Sequence, residues 1–403
     1  MANQSFKIVI LGAGTGGIAV AAKLSRELPA ESICLVDPAE NHYYQPLWTL
    51  AGAGVVDKEK TEKKISSLVP SGLNWIKESV ISIDPIKKNI QLSHENNVSY
   101  EYLVIAAGLK LDWGKIQGLE GHLGTNGICT IYEYDQVDYT NSQIQNFQGG
   151  KAVFVMPPVP IKCAGAPQKI MYLAEQIFRK NGVRHKSEII FATAGKAMFG
   201  IPTFANALEK IVKERDIHPY YSHKLTGIDS KNKIAHFNVT NADGTVSQSD
   251  IKFDLLHVVP TMSAPAFIYD SNLAFSEGDQ KGWLAVDKHT LQHLKHPEIF
   301  GIGDVTGIPN SKTGAAIRMQ YPIVVKNLIS VMKGEKPMTS YNGYSSCPLV
   351  TEIGKVMLAE FGYDGKLMPT FPLDPSIPRK SYWHLKKSLL PKLYWYGMMK
   401  GIA

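Results

Sequence analysis

The sequence predicts an α/β protein made of two Rossmann-like units, with the first unit split around an inserted second one. The N-terminal stretch KIVILGAGTGGIAVAAKL reads as an apolar strand, a glycine turn and an Ala-rich helix. The middle third of the chain repeats this order, beginning with the apolar strand KAVFVM. The chain then returns to a further apolar strand in EIFGIGDVTG. These three observations place the predicted domains at 1–115 with 290–332, at 116–289, and at 333–403 for a C-terminal region.

Length and composition describe an ordinary globular protein. The chain has 403 residues, of which 44% are hydrophobic and 20% are charged, and this excludes a disordered protein. No apolar run reaches 18 residues, so we expect no membrane-spanning helix, and neither a secretory signal nor a transit peptide precedes the first strand. The four cysteines show no CxxC spacing, which excludes zinc ribbons, and we expect no metal site. The net charge of +7 is moderate, and we expect no nucleic-acid partner.

The first glycine turn predicts a dinucleotide site. Gly12, Gly14 and Gly17 form the pattern G-x-G-x-x-G directly between a strand and a helix, and Asp37 ends the next strand. The first glycine permits the tight turn, the second lets the backbone approach a pyrophosphate, and the third lets helix and strand pack closely. The acid is placed to accept hydrogen bonds from ribose hydroxyls.

Two later segments favour FAD as the occupant of this site. The strand end YLVIAAG supplies small residues at Ala107 and Gly108, on which a dinucleotide can lie, and Asp304 in GIGD is placed to hold ribityl hydroxyls. This layout resembles the disulfide-oxidoreductase flavoprotein superfamily, whose FAD domain is split around an inserted domain. We also expect flavin contacts from Gln45 and Val80. Lys312 is expected near the pyrimidine end of the flavin, where it would stabilise negative charge.

The second unit lacks the features of a nicotinamide site. The loop after its first strand is PPVPIKCAGAPQ, and Pro157, Pro158 and Pro160 remove backbone N–H donors where a pyrophosphate would need them. Its next strand ends in Thr193 and Ala194, so an acid for ribose is missing. We therefore expect that NADH does not deliver electrons here.

Cys163 stands in that same loop, shortly before a helix whose first turn is expected to contain Pro167. The start of a helix and the adjacent Lys162 would both favour a thiolate over a thiol. The alternative is a small buried hydrophobic residue, the commoner fate of a free cysteine. Position alone leaves both interpretations open.

Four segments together resemble the sulfide:quinone oxidoreductase family, in particular the branch that includes the mitochondrial enzyme. They are NHYYQPLWTLAGAG, PVPIKCAGAPQKIMYLAE, FGIGDVTGIPNSKTGAA and YSSCPLVTEIGKVMLAEF. The resemblance implies an FAD enzyme that oxidises sulfide and passes two electrons to ubiquinone or menaquinone. It also implies that Cys163 and Cys347 face each other at the flavin as a disulfide or sulfur-bridged pair.

The same resemblance suggests how sulfur moves and which further residues take part. Sulfide attacks one sulfur of the pair, and the resulting sulfane sulfur passes to sulfide, sulfite, a small thiol or a growing polysulfide. Cys129 stands where other branches use a third cysteine, and Glu133 is a candidate proton carrier for HS⁻. The alternative for Cys129 is a structural residue, and Cys34 is expected to pack in the core.

The C-terminal stretch PRKSYWHLKKSLLPKLYWYGMMKGIA predicts a membrane-surface segment. Six Lys or Arg and no acid lie between Pro375 and Ala403, interleaved with aromatic and aliphatic residues. We expect two short helices divided at Pro391, lying on the cytoplasmic face of the cell membrane. The alternative is a helix that packs on its own protein or on a second subunit of a homo-oligomer.

Three other functions fit parts of the pattern. A type II NADH:quinone dehydrogenase would need a second glycine fingerprint and has no use for Cys163 and Cys347. A flavocytochrome subunit would normally carry an export signal. A non-catalytic redox adaptor at a membrane would tolerate replacement of both cysteines.

Overall fold

A seven-stranded sheet forms the first Rossmann-like unit of the computed structural model, which describes residues 3–403. The strands of this part are β1 (Asn3–Leu11), β2 (Ile33–Val36), β3 (Asn41–Tyr43), β4 (Glu62–Lys64), β5 (Asn74–Ile76), β6 (Val80–Asp84), β7 (Asn89–Leu92), β8 (Asn97–Ile105) and β9 (Lys110–Leu111), with helices α1 (Thr15–Leu24) and α2 (Trp48–Ala51). The order is β5-β2-β1-β8-β7-β6, and β1 pairs in parallel with β2 and β8. Both faces of the central strands are covered, so β1 is apolar on both sides.

A five-stranded parallel sheet forms the second unit, in the order β10-β17-β11-β12-β13. The strands here are β10 (Ile128–Cys129), β11 (Gly150–Met156), β12 (Ser187–Thr193), β13 (Ile217–Tyr220), β14 (His223–Asp229), β15 (Ile234–Thr240), β16 (Val246–Lys252), β17 (Leu255–His257) and β18 (Met262–Ser263), and the helices are α3 (Val137–Gln145), α4 (Ala166–Lys180), α5 (Pro202–Glu214) and α6 (Ala266–Asp270). The antiparallel strands β14, β15 and β16 form a separate small sheet.

The last part of the chain completes the first sheet and adds a hairpin. It contains β19 (Ile299–Gly301), β20 (Ser345–Glu352) and β21 (Lys355–Phe361), with α7 (Gly314–Met332), α8 (Lys380–His384) and α9 (Leu390–Lys392). Because β19 pairs in parallel with β8, the chain rejoins the first sheet after the second unit is complete. The predicted split α/β fold is confirmed, while the domain limits at 115, 289 and 332 stay a prediction.

Helix α4 and the β20–β21 hairpin are joined by a buried ionic network. Glu175 in α4 is 1% exposed and receives hydrogen bonds from Arg179, the shorter at 2.7 Å. Arg184 and Arg215 each lie 3.7 Å from its carboxylate. Arg215 also donates to the carbonyl of Thr351 at the end of β20. The network therefore fixes the helix that follows Cys163 against the strand that carries Cys347.

The C-terminal segment is one helical run, so the expected division at Pro391 is wrong. The backbone stays helical from residue 380 to 400, with π-helical turns at Leu385–Leu389 and Leu393–Gly397 on either side of α9. Pro391 lies in the first turn of α9, where its fixed φ suits a helix. The π turns change the hydrogen-bond register, so the missing proline N–H does not break the run.

Most of the aromatic residues of this segment pack against the protein itself. Tyr382, Trp383, Tyr394 and Trp395 are all buried, whereas Tyr396 is exposed. The alternative in which the segment packs on its own protein therefore accounts for one side of the helix. Within the part of the chain that the structure describes, no helix is long and apolar enough to cross a bilayer.

Replacing Glu175 by glutamine is expected to lower the free energy of unfolding by about 3 kcal/mol, because three arginines lose their buried counter-charge. Urea or guanidinium unfolding measures this difference. The control is Glu188→Gln, which breaks a half-exposed pair with Lys151 and is expected to cost less than about 1 kcal/mol. Equal losses in the two variants would contradict a structural role for the network.

Candidate active site

One large cavity, of about 550 Å³, brings together the glycine turn, the Cys163 loop, the β20–β21 hairpin, the start of α7 and the C-terminal helix. Parallel strands present their carboxyl ends at one edge of a sheet, so the loops that follow β1 and β19 meet there. The cavity lies at that edge, where a dinucleotide binds in this kind of fold.

The glycine turn has the shape that a pyrophosphate requires. Gly12 has φ +102°, and a Cβ there would lie 2.5 Å from the carbonyl oxygen of Ala106. A Cβ on Gly17 would lie 1.7 Å from the carbonyl oxygen of Gly12, so this glycine serves helix–strand packing and does not line the cavity. Gly14 has no heavy atom within 4 Å of a Cβ position and lines the cavity, which leaves its backbone open to a ligand.

Some of the other expected FAD contacts line the cavity, and others do not. Asp37 lines the cavity, and its Oδ2 accepts a hydrogen bond of 2.6 Å from the N–H of Ala13 in the glycine turn. Four more of the expected contacts line the cavity, namely Gln45, Gly108, Asp304 and Lys312. Ala107 lies between two lining residues without lining the cavity itself, and Val80 begins β6 away from it. The residues at the cavity fit FAD, and the contacts at Ala107 and Val80 stay predictions.

Cys163 is held in a strained turn by the FAD domain. Its φ is +50°, in the left-handed region that a non-glycine residue rarely adopts. Its N–H donates to the carbonyl of Lys312 at 3.0 Å, and its carbonyl accepts from the N–H of Ala166 at 2.8 Å. Strain of this kind persists only where the surroundings impose it and is common at functional sites. The loop of the second unit is thus fixed by the chain just before α7.

Cys347 lies in β20 and meets the Cys163 loop at Gly165. A Cβ on Gly165 would lie 2.6 Å from the Sγ of Cys347, so only glycine permits this approach. Both cysteines line the cavity, and each is the largest influence on the pKa of the other. The structure therefore brings together the two cysteines that the family resemblance pairs.

The surroundings give the two cysteines opposite character. The hydrogen bond from Cys347 holds the pKa of the Cys163 thiol well below its usual value, and Lys169 and Lys386 act in the same direction against burial. The Nζ of Lys169 lies 3.1 Å from the Sγ of Cys163. The pKa of the Cys347 thiol is raised by its hydrogen bond to Cys163 and by burial. Cys163 is therefore the thiolate and Cys347 the thiol of the pair.

Three buried lysines and the partly buried Lys162 surround the pair and the adjoining cavity. Burial lowers the pKa of Lys162 and Lys312 to about 8 and that of Lys386 to about 7. The Cys163 thiolate and the Cys347 sulfur, against burial, raise the pKa of Lys169. Such a cavity attracts anions, HS⁻ included, and disfavours cations.

The amine of Lys312 contacts protein groups, whereas the sequence predicts that it stabilises negative charge on the flavin. Its Nζ donates to the carbonyls of Asp304 at 2.6 Å and Thr306 at 3.1 Å, and it lies 3.9 Å from the centre of the Trp283 ring. The ammonium is thus partly engaged by the protein, although the residue lines the cavity. Its role towards a reduced flavin stays a prediction.

Sequence reasoning missed Lys169 and Lys386. Lys169 lies six residues after Cys163, inside a helix, and its spacing alone gives no sign that its side chain turns back to the sulfur. Lys386 comes from the C-terminal segment, where it looked like one of six surface cations; it is 3% exposed, and its Nζ donates to the carbonyl of Pro46 at 3.1 Å.

Three other expected residues lie outside the cavity. Cys129 is fully buried in β10, and burial raises the pKa of its thiol to about 12. Glu133 accepts a hydrogen bond from the indole N–H of Trp113 and lies near enough to Lys162 to raise the pKa of that amine. Cys34 is fully buried in β2, as expected. The structure does not bring Cys129 to the pair, and Glu133 does not line the cavity.

Comparisons with known proteins find relatives that span most of the chain. Residues 6–320 match the family model described as pyridine nucleotide-disulphide oxidoreductase. The chain is 41% identical over 400 residues to the mitochondrial sulfide:quinone oxidoreductase of Mus musculus, covering 99% of this chain and 88% of the relative. It is 40% identical over 400 residues to the corresponding protein of Dictyostelium discoideum, covering 98% and 86%.

A solved structure shows the same fold at lower identity. The sulfide:quinone oxidoreductase of the hyperthermophilic bacterium Aquifex aeolicus superimposes with a TM-score of 0.81 at 20% sequence identity. The superposition covers 98% of this chain and 92% of the other.

Replacing Lys169 by methionine is expected to slow alkylation of Cys163 at pH 7 by about tenfold, because a charge-assisted hydrogen bond to the thiolate is lost. Mass spectrometry of iodoacetamide-treated reduced protein measures the rate at each cysteine. The pH midpoint of the Cys163 profile should rise, and Lys169→Arg should restore part of the rate.

The matched control is Lys180→Met, at the exposed C-terminal end of the same helix. It is expected to leave the alkylation of Cys163 unchanged. A normal Cys163 profile in Lys169→Met would show that this lysine does not stabilise the thiolate.

Proposed function

The chain belongs to the sulfide:quinone oxidoreductase family, and we propose that it oxidises sulfide at the Cys163–Cys347 pair and passes two electrons through FAD to a quinone. One observation carries this proposal above all others. A thiolate held by Lys169 and by a second cysteine lines the same cavity as the glycine turn. Sulfide oxidation needs a sulfur pair beside a flavin, and this cavity supplies both sites.

In the oxidised enzyme the pair forms a sulfur–sulfur bond. HS⁻ attacks the Cys347 sulfur, a bond forms between the sulfide sulfur and the Cys347 sulfur, and the bond between Cys347 and Cys163 breaks. Its electron pair stays on Cys163, where Lys169 and Lys386 stabilise the negative charge. A low pKa makes Cys163 the better leaving group, since a thiol of lower pKa leaves faster.

As the Cys163 sulfur bonds to the outer sulfur of the Cys347 persulfide, which releases its proton, two electrons are given up; FAD, when bound, would accept them and pass them to the quinone. The residues around it hold the charges that this transfer moves. Lys162 and Lys386, whose pKa values burial lowers to about 8 and about 7, are able to release or accept a proton near neutral pH. Glu133, beside Lys162, is the proposed carrier of protons between that lysine and solvent.

The overall reaction is balanced by a sulfur acceptor. One sulfide loses two electrons, one quinone gains two electrons and two protons, and the sulfane sulfur on Cys347 passes to a second nucleophile. That nucleophile is sulfide, sulfite, a small thiol or a polysulfide, and the quinone is ubiquinone or menaquinone. The sulfur–sulfur bond of the pair is restored when the sulfur leaves.

A type II NADH:quinone dehydrogenase is the second candidate, and the described loop of the second unit disfavours it. The segment after β11 leads directly to Cys163 and donates its N–H to the FAD domain. This segment therefore forms part of the sulfur site. In a nicotinamide-binding unit, the same segment would be a glycine turn that contacts a pyrophosphate.

Anaerobic titration with sulfide is expected to bleach the flavin absorbance, and decylubiquinone should restore it, whereas NADH should do neither. Cys163→Ser and Cys347→Ser are each expected to slow bleaching by a factor of about 100 or more, because either substitution removes a reacting sulfur. Stopped-flow absorbance measures the rates.

The control is Cys129→Ala, which removes a thiol from the core and leaves the cavity intact. It is expected to retain at least about half the wild-type bleaching rate. Bleaching by NADH and not by sulfide would overturn the proposed function. Wild-type behaviour of Cys163→Ser and Cys347→Ser, as well as of Cys129→Ala, would favour the redox adaptor.

We further propose that the protein binds a membrane peripherally through the outer side of its C-terminal helix. Leu389, Tyr396 and Ile402 are more than half exposed on this segment, and Lys387 and Lys392 are exposed beside them. Aromatic and aliphatic side chains with neighbouring lysines suit the headgroup layer of an anionic bilayer. Cytoplasmic location and assembly into a homo-oligomer remain parts of this proposal.

This surface adjoins the cavity. Phe371, Leu390 and Leu393 line the cavity, and Phe371 is also exposed next to the helix. A quinone that partitions into the bilayer therefore has a short apolar route to the flavin site.

Replacing Leu389 and Tyr396 together by glutamate is expected to reduce binding to anionic liposomes several-fold, because two apolar anchors become charges that repel the lipid. Vesicle co-sedimentation measures the bound fraction. Val246→Glu, at an exposed apolar position in β16, is the control and should bind as wild type does. Unchanged binding of the double variant would exclude this side of the helix as the membrane contact.

A further inference from the structure

The end of the C-terminal helix contacts the glycine turn of the FAD site. The hydroxyl of Tyr394 lies 2.7 Å from the Oγ1 of Thr15 and 2.5 Å from the Nε2 of His42. The Nδ1 of His42 lies 2.9 Å from the carbonyl oxygen of Ala13. A chain of three hydrogen bonds therefore leads from Thr15 through Tyr394 and His42 back to Ala13.

The direction of each hydrogen bond follows from chemistry. Burial lowers the pKa of His42 to about 4, so its ring is neutral at pH 7 and carries one proton. The Ala13 carbonyl only accepts, so that proton is on Nδ1 and Nε2 must accept from the Tyr394 hydroxyl. Burial keeps this hydroxyl protonated by raising its pKa, and its oxygen accepts from Thr15. Each polar side-chain atom of Thr15, Tyr394 and His42 in this series thus has a hydrogen-bond partner.

The two ends of this series of hydrogen bonds lie on either side of Gly14. Ala13 and Thr15 flank this glycine, whose open side faces the cavity, and Thr15 begins α1. The N-terminus of α1 and the N–H groups of this turn are the donors that a pyrophosphate uses. Tyr394 thus holds the turn through Thr15 and His42, and it lines the same cavity.

The chain end holds this contact in place. The Nε of Arg26 donates to the carbonyl of Lys400 at 3.1 Å, and the hydroxyl of Tyr321 donates to a carbonyl of Ala403. Gly401 has φ +67°, and a Cβ there would lie 2.6 Å from the N of Lys23. Residues 390–403, which we name the C-terminal strap, are therefore anchored on both α1 and α7.

We propose that the C-terminal strap retains FAD, with Tyr394 acting as a positioning residue of the pyrophosphate turn. Release of the cofactor requires the strap to lose its contacts with Thr15 and His42. The inference rests on FAD binding alone and is independent of the electron donor, so its failure would leave sulfide oxidation untouched.

The test uses the full-length holoprotein, oxidised and without sulfide. After dilution, the appearance of free-flavin fluorescence gives the rate of FAD release. Tyr394→Phe is expected to release FAD about tenfold faster, because the Nε2 of His42 is left buried and unpaired. The control is Tyr396→Phe, on the same turn but 67% exposed, and it should release FAD at the wild-type rate.

A double-variant cycle separates positioning from general stability. Thr15→Val removes the other partner, and the variant that combines it with Tyr394→Phe should release FAD no faster than about the faster single variant, because both act through one contact. A release rate in Tyr394→Phe within about twofold of wild type overturns the proposal. Additive effects of Thr15→Val and Tyr394→Phe on the release rate would also overturn it, because Tyr394 would then act only as a core residue.

A second variant keeps the test open if Tyr394→Phe fails to fold. Gly401→Val displaces the strap at its far anchor and touches no cofactor contact, since its Cβ collides with α1. It should also accelerate FAD release by several-fold, whereas Ile402→Ala, at an exposed neighbouring position, should not. Wild-type release from Gly401→Val would overturn the strap as the element that retains FAD.

Discussion

A partly buried thiolate needs positive charge around it, and the arrangement of this protein follows from that requirement. The negative charge on Cys163 is stabilised by Lys169 from α4, by Lys386 from the C-terminal helix and by the Cys347 thiol from β20. Taking a charge out of water costs free energy, so each of these three partners contributes to the stability of the thiolate. They come from three separate segments, and the thiolate is most stable where all three pack together. The Glu175 network, which joins α4 to the end of β20, holds two of the three in register.

The two Rossmann-like units use equivalent loops for different chemistry. After β1 the chain makes a glycine turn whose Gly14 is open towards the cavity, and after β11 it makes a proline-rich loop that ends in Cys163. The second loop is tied to the first unit by the hydrogen bond from the N–H of Cys163 to Lys312. The N–H of Cys163 is therefore not free to bind a phosphate. The loop at which a nicotinamide dinucleotide would be expected is thus the loop that carries Cys163.

Sequence alone predicted the parts of the site that depend on local pattern. The glycine turn, the split sheet and the position of Cys163 before α4 each follow from residues that are close in the chain, and α4 begins within one residue of its expected start. Lys169 and Lys386 were missed because their roles depend on side-chain direction and on contacts between distant segments. Pro391 was misread for a related reason. A proline interrupts a regular α-helix, but π turns on either side of α9 let the helical run continue.

The C-terminal helix shows why an amphipathic pattern needs a structure to interpret it. Its aromatic and basic residues suggested one membrane face, yet Tyr394 and Lys386 point into the protein while Tyr396 and Leu389 face outward. The inner side supplies a wall of the cavity, a charge for the thiolate and a contact to the glycine turn. A bilayer that drew the whole aromatic set into its headgroups would pull Lys386 away from Cys163 and leave His42 without its partner. Only the outer side is therefore free to bind lipid without loss, and membrane binding through that side is compatible with an intact site.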